Sequence, residues 1–221
     1  MSCQMPHDEA CACAMHRPNR WPTLCPAQER AAAGSRRRSS AATTMDTKES
    51  TPMTTPSMYE FLVPTANRML GNLSALLDKA AAHAEAKKFD PANLMTARLA
   101  PDMHPFTRQV QIACDQAKGG AARLSGNEVP SYPDVETTIP ELKARIAKTL
   151  EFVNSIDPAA FAGSEDRQIA LKSPTRELQF TGLDYLRGFV LPNLYFHVTT
   201  AYALLRHNGV EIGKLDFLGH P

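Results

Sequence analysis

Leu191-Pro-Asn-Leu-Tyr-Phe-His-Val-Thr-Thr-Ala-Tyr-Ala-Leu-Leu-Arg-His-Asn-Gly209 carries Leu194, His197, Ala201 and Leu204 at intervals of three and four residues and ends on Asn208-Gly209. That spacing puts the four side chains on one stripe of an α-helix. Asn-Gly is a stop, because glycine takes the left-handed backbone after the last turn. The stripe continues upstream through Leu183, Leu186 and Val190, so the helix is predicted to open near Gly182. His197 stands within an apolar stripe and therefore points inward, and Asn193, one turn earlier, shares its face.

A helix with such a stripe needs partners, and three more stripes supply them. Leu62, Ala66, Met69, Leu70, Leu73, Leu76, Leu77 and Ala80 predict a first helix that starts beyond Ser57 and ends near Lys87, with Pro64 early in it. After a linker, Phe89 to Pro101, Asp102 reads as a cap and Pro105 as a first-turn residue for a second helix. That helix carries Phe106, Val110, Ala113, Ala117, Ala121 and Leu124 and stops at Gly126. Thr138-Ile-Pro-Glu141 is a capping box ahead of Leu142, Ile146, Leu150 and Val153, and Asp157-Pro158 closes this third helix. The alternation between Arg167 and Thr181 predicts a short two-stranded hairpin, which must lie on the helices to be stable. The fold class is therefore all-α: an antiparallel four-helix bundle over residues 57–221 with a β-hairpin before the last helix.

Residues 1–56 differ in kind. They are crowded with Pro, Ser, Thr, Ala and Arg and have no apolar period, which predicts a disordered extension. Met53-Thr-Thr-Pro-Ser-Met58 offers a natural start just before the first helix, so the extension also reads as a misassigned upstream stretch. Four of the five cysteines lie in it. Cys11-Ala-Cys13, with His7, His16 and Cys25, lacks the spacing of a zinc knuckle. Arg36 to Arg38 is shorter than the usual basic cluster for nucleic acid.

Composition narrows the function classes. Lys and Arg number 24 against 23 for Asp and Glu, so a net charge of +1 provides no field to draw in nucleic acid or an anionic membrane. No apolar run approaches the ~18 residues of a spanning helix, and the start has no secretory pattern, so the expected location is the cytoplasm. One cysteine, Cys114, in the folded part fits a reducing compartment. No Ser, His and Asp order, phosphate-cradling glycine loop or CxxC pair occurs there.

The candidate site is thus His197 with Asn193, approached across the bundle by Gln109 of the second helix. Two readings stand: a hydrogen-bonded polar cluster that fixes helix register, or a metal site. Carboxamides are weak donors to first-row metals, which favours the first. Asp102 and His104 are further candidate ligands at the mouth of the second helix. Asp115 reads as a solvated neighbour of Cys114, and Cys114 as a buried structural thiol.

Leu99-Ala-Pro-Asp-Met103, Arg108-Gln-Val-Gln-Ile-Ala113 and Phe196 to Lys214 make positions 58–218 resemble a family of bacterial proteins of unknown function grouped with the DinB/YfiT-like metalloenzymes. The resemblance implies a four-helix bundle, often dimeric, and a divalent metal held by one histidine on the second helix and a HxxxH pair on the last. Superposing that pattern places His197 on the second histidine of the pair, Asn193 on the first, and Gln109 close to the second-helix histidine. The resemblance thus implies a degenerate pocket for a small-molecule ligand, or a structural homodimer, with no cofactor. The alternative it implies is an enzyme of thiol-transferase or hydrolase type that binds zinc, nickel or manganese through His197.

Overall fold

The computed structural model describes residues 56–172 and 177–219. The extension before Pro56, with its cysteines and Arg36 to Arg38, lies outside the described residues. Helix α1 spans Met58–Lys87, and Ser57 caps it: Ser57 Oγ accepts from the Glu60 N–H at 3.3 Å, and the Glu60 carboxylate accepts from Ser57 N–H at 2.6 Å. Helix α3, Phe106–Ser125, ends on Gly126 with φ +79°. Helix α4, Ile139–Asn154, starts on the expected Thr138 and Glu141 box. The last long helix begins as α5, Gly182–Tyr185, widens into a π turn at Leu186–Val190, and continues as α6, Leu191–His207.

The π turn has a local cause. Pro192 has no N–H for the Gly188 carbonyl, and its ring crowds that carbonyl, so the chain passes it in a wider turn. In the same turn the Asn193 side chain donates Nδ2–H to the Phe189 carbonyl at 2.7 Å.

Helices α1 and α3 pack on one another, and each also packs on α4 and α6. The core between them is built from the predicted stripes, with Leu62, Leu70, Leu73, Phe106, Leu142, Leu194 and Leu204 all within 1% of complete burial. Small residues on α3 allow close approach: a Cβ at Gly120 would come within 2.7 Å of Val190. Strands β1, Gln168–Lys172, and β2, Glu177–Thr181, pair antiparallel with Ile169 opposite Phe180. The hairpin lies on the bundle as stability requires, with Ile169 buried and Phe180 against Tyr185 and Phe189 at ring separations of 5.9 and 5.7 Å.

Four local details differ from the sequence reading. Helix α3 takes Pro105 as its N-cap residue, while Asp102 is exposed in the preceding turn and caps nothing. The linker contains a short helix α2, Ala92–Met95. Asp157-Pro158 ends α4 but opens a 3-10 turn, Pro158–Phe161, with Asp157 accepting from the Ala159 N–H. A terminal helix α7, Lys214–Leu218, is tied to α1 by Lys79–Asp216 at 2.6 Å and by Asn72 donating to the Phe217 carbonyl. Elements this short carry too few residues for a 3.6-residue period to register. Among the described residues no helix is long and apolar enough to cross a membrane.

Candidate functional site

His197 lies in the second turn of α6 and Gln109 in the first turn of α3, and the fold brings them together. His197 Nδ1 and Gln109 Oε1 are 2.7 Å apart in a buried position. The Gln109 amide donates Nε2–H to the His104 carbonyl at 3.0 Å. The loop holding that carbonyl is itself fastened: Thr107 Oγ1 donates to Met95 O, Phe106 N–H to Ala97 O, and the Arg98 guanidinium to Met103 O.

This arrangement fixes the tautomer. A backbone carbonyl only accepts, so the Gln109 nitrogen must face His104 and its oxygen must face the imidazole. His197 therefore carries its proton on Nδ1 and presents a lone pair at Nε2. Among the described residues Nε2 has no hydrogen-bond partner, and it is not sealed from solvent. Burial, aided by the charges of His104 and Arg108, pushes the imidazole down to about 4 from an ordinary 6.5, so it is neutral through the physiological range.

A neutral buried histidine links stability to pH with a definite sign. Below 6.5 the unfolded chain binds a proton that the folded chain refuses down to about 4. Its contribution is complete above the unfolded value and is lost as pH falls through this window. Urea unfolding of the native chain is expected to lose ~2–3 kcal/mol more than a His197→Gln variant between neutral pH and pH ~4. Parallel pH profiles of the two proteins would contradict this.

The other candidates do not join the pair. Asn193 uses its amide on Phe189 O and makes no hydrogen bond to His197 or Gln109. The π turn claims it, which is why a shared helix face did not bring it into the site. Asp102 and His104 are exposed, and His104 contributes only its backbone carbonyl and a nearby charge. Among the described residues no three His, Cys, Asp or Glu side chains assemble a metal-holding group. A divalent metal wants about three strong donors. One imidazole nitrogen flanked by carboxamides turned elsewhere does not fit that requirement.

The family described as Domain of unknown function (DUF1993) matches residues 58–218, which is most of the chain and all four bundle helices. The chain belongs to the DUF1993 family. It is also similar to a solved structure, a DinB family member protein from Shewanella denitrificans, at 46% identity and TM-score 0.69, over 74% of this chain and 92% of that one. No curated protein matches it. The fold expected from the resemblance is therefore that of this DUF1993 chain: a DinB-like helical bundle.

The DUF1993 bundle also holds a polar cluster that the sequence reading missed. Arg145 of α4 is buried, with 1% of its side chain exposed, and its Nη2 contacts Asp115 and Asp134 at 3.0 Å each. Its Nη1 donates to Glu136 at 3.0 Å and to the Pro133 carbonyl at 3.1 Å. Burial works against the charge, but the Glu136 hydrogen bonds and then Asp115 hold the proton on more firmly than in water. Asp115, read from sequence as solvated, is instead clamped between Arg145 and Lys118. The available signal was Arg145 itself, which falls three residues after Leu142 and four before Thr149, inside the buried stripe. Cys114 is the buried thiol expected, and burial pushes it up to about 12, which removes it as a nucleophile at neutral pH.

Proposed function

We propose that this chain is a DinB-like binding module rather than a metal-dependent enzyme, with His197 as its fixed polar element. The observation supporting this is the relay from the His104 carbonyl through the Gln109 amide to His197 Nδ1. It locks α3 to α6 and leaves Nε2 as a neutral acceptor for a donor group on a small-molecule ligand. Asn193 does not share in this relay and donates to the backbone of the π turn instead. In this reading no cofactor is needed. The chain pairs with a second copy through the outward side of α6, where Tyr195 and Phe196 are 42% and 55% exposed. Sedimentation equilibrium reporting a monomer at every concentration would remove the dimer from the proposal.

A metal-dependent reading remains testable because a histidine whose Nδ1–H is oriented by a neighbour is also how a metal ligand is prepared. Protein purified without a histidine tag and reconstituted with zinc, nickel or manganese is expected to retain less than about 0.2 metal per chain, since a real site demands a full ligand set. Stoichiometric metal that is lost in His197→Ala would replace the binding-module reading with the enzymatic one.

A further inference from the structure

A concavity lies away from His197. It is a cleft of about 450 Å³ between the middle of α3, the segment around Tyr132, strand β1 and the widened turn that precedes α6. That volume is within the usual range for a small-molecule site, roughly 300–1,000 Å³. Its lining combines three cations, Lys118, Arg123 and Lys172, with one carboxylate, Asp115, and the rings of Tyr132, Tyr185 and Phe189. Asp115 is already engaged by Lys118 and Arg145 at 3.0 Å, so it leaves positive charge in the cleft uncompensated.

The cationic groups are placed, not merely present. The Lys118 side chain is only 5% exposed; its ammonium meets Asp115 and stands 4.0 Å from the centre of the Tyr132 ring. An ammonium has three donors, and one carboxylate uses one of them. Arg123 donates Nη1–H to the Tyr185 hydroxyl at 3.0 Å and pairs with no carboxylate among the described residues. The hydroxyl accepts this bond, so its own proton is available to another acceptor. The guanidinium reaches that position by folding back along α3 over Gly119, where a Cβ would come within 2.5 Å of Nη1. Glycine at 119 therefore keeps a charged fork lying in the cleft.

The geometry points to this cleft as a binding site for a small organic anion, with its oxyanion head taken by Arg123, Lys118 and the Tyr185 hydroxyl and its apolar body laid against Tyr132 and Phe189. A planar guanidinium with free donors matches a carboxylate or phosphate in two-point geometry, and the flanking rings supply the apolar contact such a ligand needs. Burial raises the Tyr185 hydroxyl, with Arg123 working the other way, so it remains a proton donor at neutral pH. The widened turn contributes Phe189 to the wall, in keeping with the frequent use of such turns at sites.

Benzoate and phenyl phosphate serve as probes, titrated into the full-length chain by calorimetry and by amide NMR, with benzylamine as the cationic control. Saturable binding of one or both anions, shifts centred on Lys118, Gly119 and Gly120, and weakening of about tenfold or more, ~1.4 kcal/mol, in Arg123→Gln are expected. Gly119→Ala displaces the guanidinium without changing charge and is expected to weaken binding likewise. Should Gly119→Ala not fold, Arg123→Gln alone carries the test. Which anion binds more tightly separates a carboxylate head from a phosphate head. No saturation by either anion up to ~10 mM, unchanged affinity in Arg123→Gln, or equal binding of benzylamine would overturn the assignment.

Discussion

Replacing Arg145 by methionine is expected to lower the unfolding free energy by about 3 kcal/mol, because it leaves the Glu136 carboxylate, only 12% exposed, without its cationic partner, whereas Asp115 keeps Lys118 and Asp134 keeps Arg108. Among the described residues the guanidinium is the single group that faces Asp115, Asp134 and Glu136 together. Among the described residues the other hydrogen-bond partner of Glu136 is the neutral Gln111, so without Arg145 its charge has no cation in contact. The segment from Pro133 to Glu136 is fastened to α4 by the same side chain, through a backbone carbonyl as well as two carboxylates. Hydrogen exchange should therefore rise along that segment in the variant beyond any global change. Adding Glu136→Gln to Arg145→Met is expected to recover part of the loss, since it removes a stranded charge. A loss below about 1 kcal/mol, the size typical of exposed ion pairs, would show that the cluster behaves as surface charge despite its burial.

Arg145 also marks where sequence reasoning stops. The four stripes were legible because each repeats an apolar residue every three or four positions over several turns, and the Thr138–Glu141 capping box has a fixed four-residue signature, whereas the sequence reading missed the equivalent Ser57–Glu60 box. A charged residue inside such a stripe can be read only as an interruption. Its burial depends on carboxylates brought from α3 and from an irregular segment whose path no periodicity reports. The pair of His197 and Gln109 was legible for the opposite reason: His197 stands on the last stripe and Gln109 directly beside Val110 of the second, so knowing that α3 and α6 face each other was enough. Asn193 shows the limit of that argument. It shares the helical face of His197, yet Pro192 widens the turn before it and draws its amide to a backbone carbonyl. The cleft around Arg123 was invisible in sequence because its walls come from elements far apart along the chain, and because Gly119 has meaning only once the guanidinium is seen above it.

Two glycine substitutions are expected to have opposite signs, and the larger effect belongs to Gly182. A Cβ there would stand 1.8 Å from the carbonyl oxygen of Ser164 and 2.9 Å from its carbon, with Leu124 at 3.2 Å. The obstacle is backbone, so no rotamer change relieves it; one of the two segments must move by more than an ångström. Neither moves freely. Ser164 is fully buried, and its carbonyl accepts from the Arg167 N–H while the adjacent Glu165 carbonyl accepts from the Leu183 N–H at 2.9 Å. Gly182→Ala is therefore expected to cost about 3 kcal/mol or more, at or beyond the upper end for overpacking. Gly182 is also the first residue of α5, directly after β2. Relief of the clash by displacement would shift the hairpin together with the wall formed by Tyr185 and Phe189. Gly71, within α1, is the control: nothing lies within 4 Å of its added Cβ. There the only change is the gain in helix propensity, so Gly71→Ala is expected to stabilise the chain by ~0.5–1 kcal/mol. Thermal and urea unfolding of the two variants side by side separates close backbone approach from the general cost of glycine in a helix. If both alanines raise stability, the contact between Gly182 and Ser164 does not constrain the folded state.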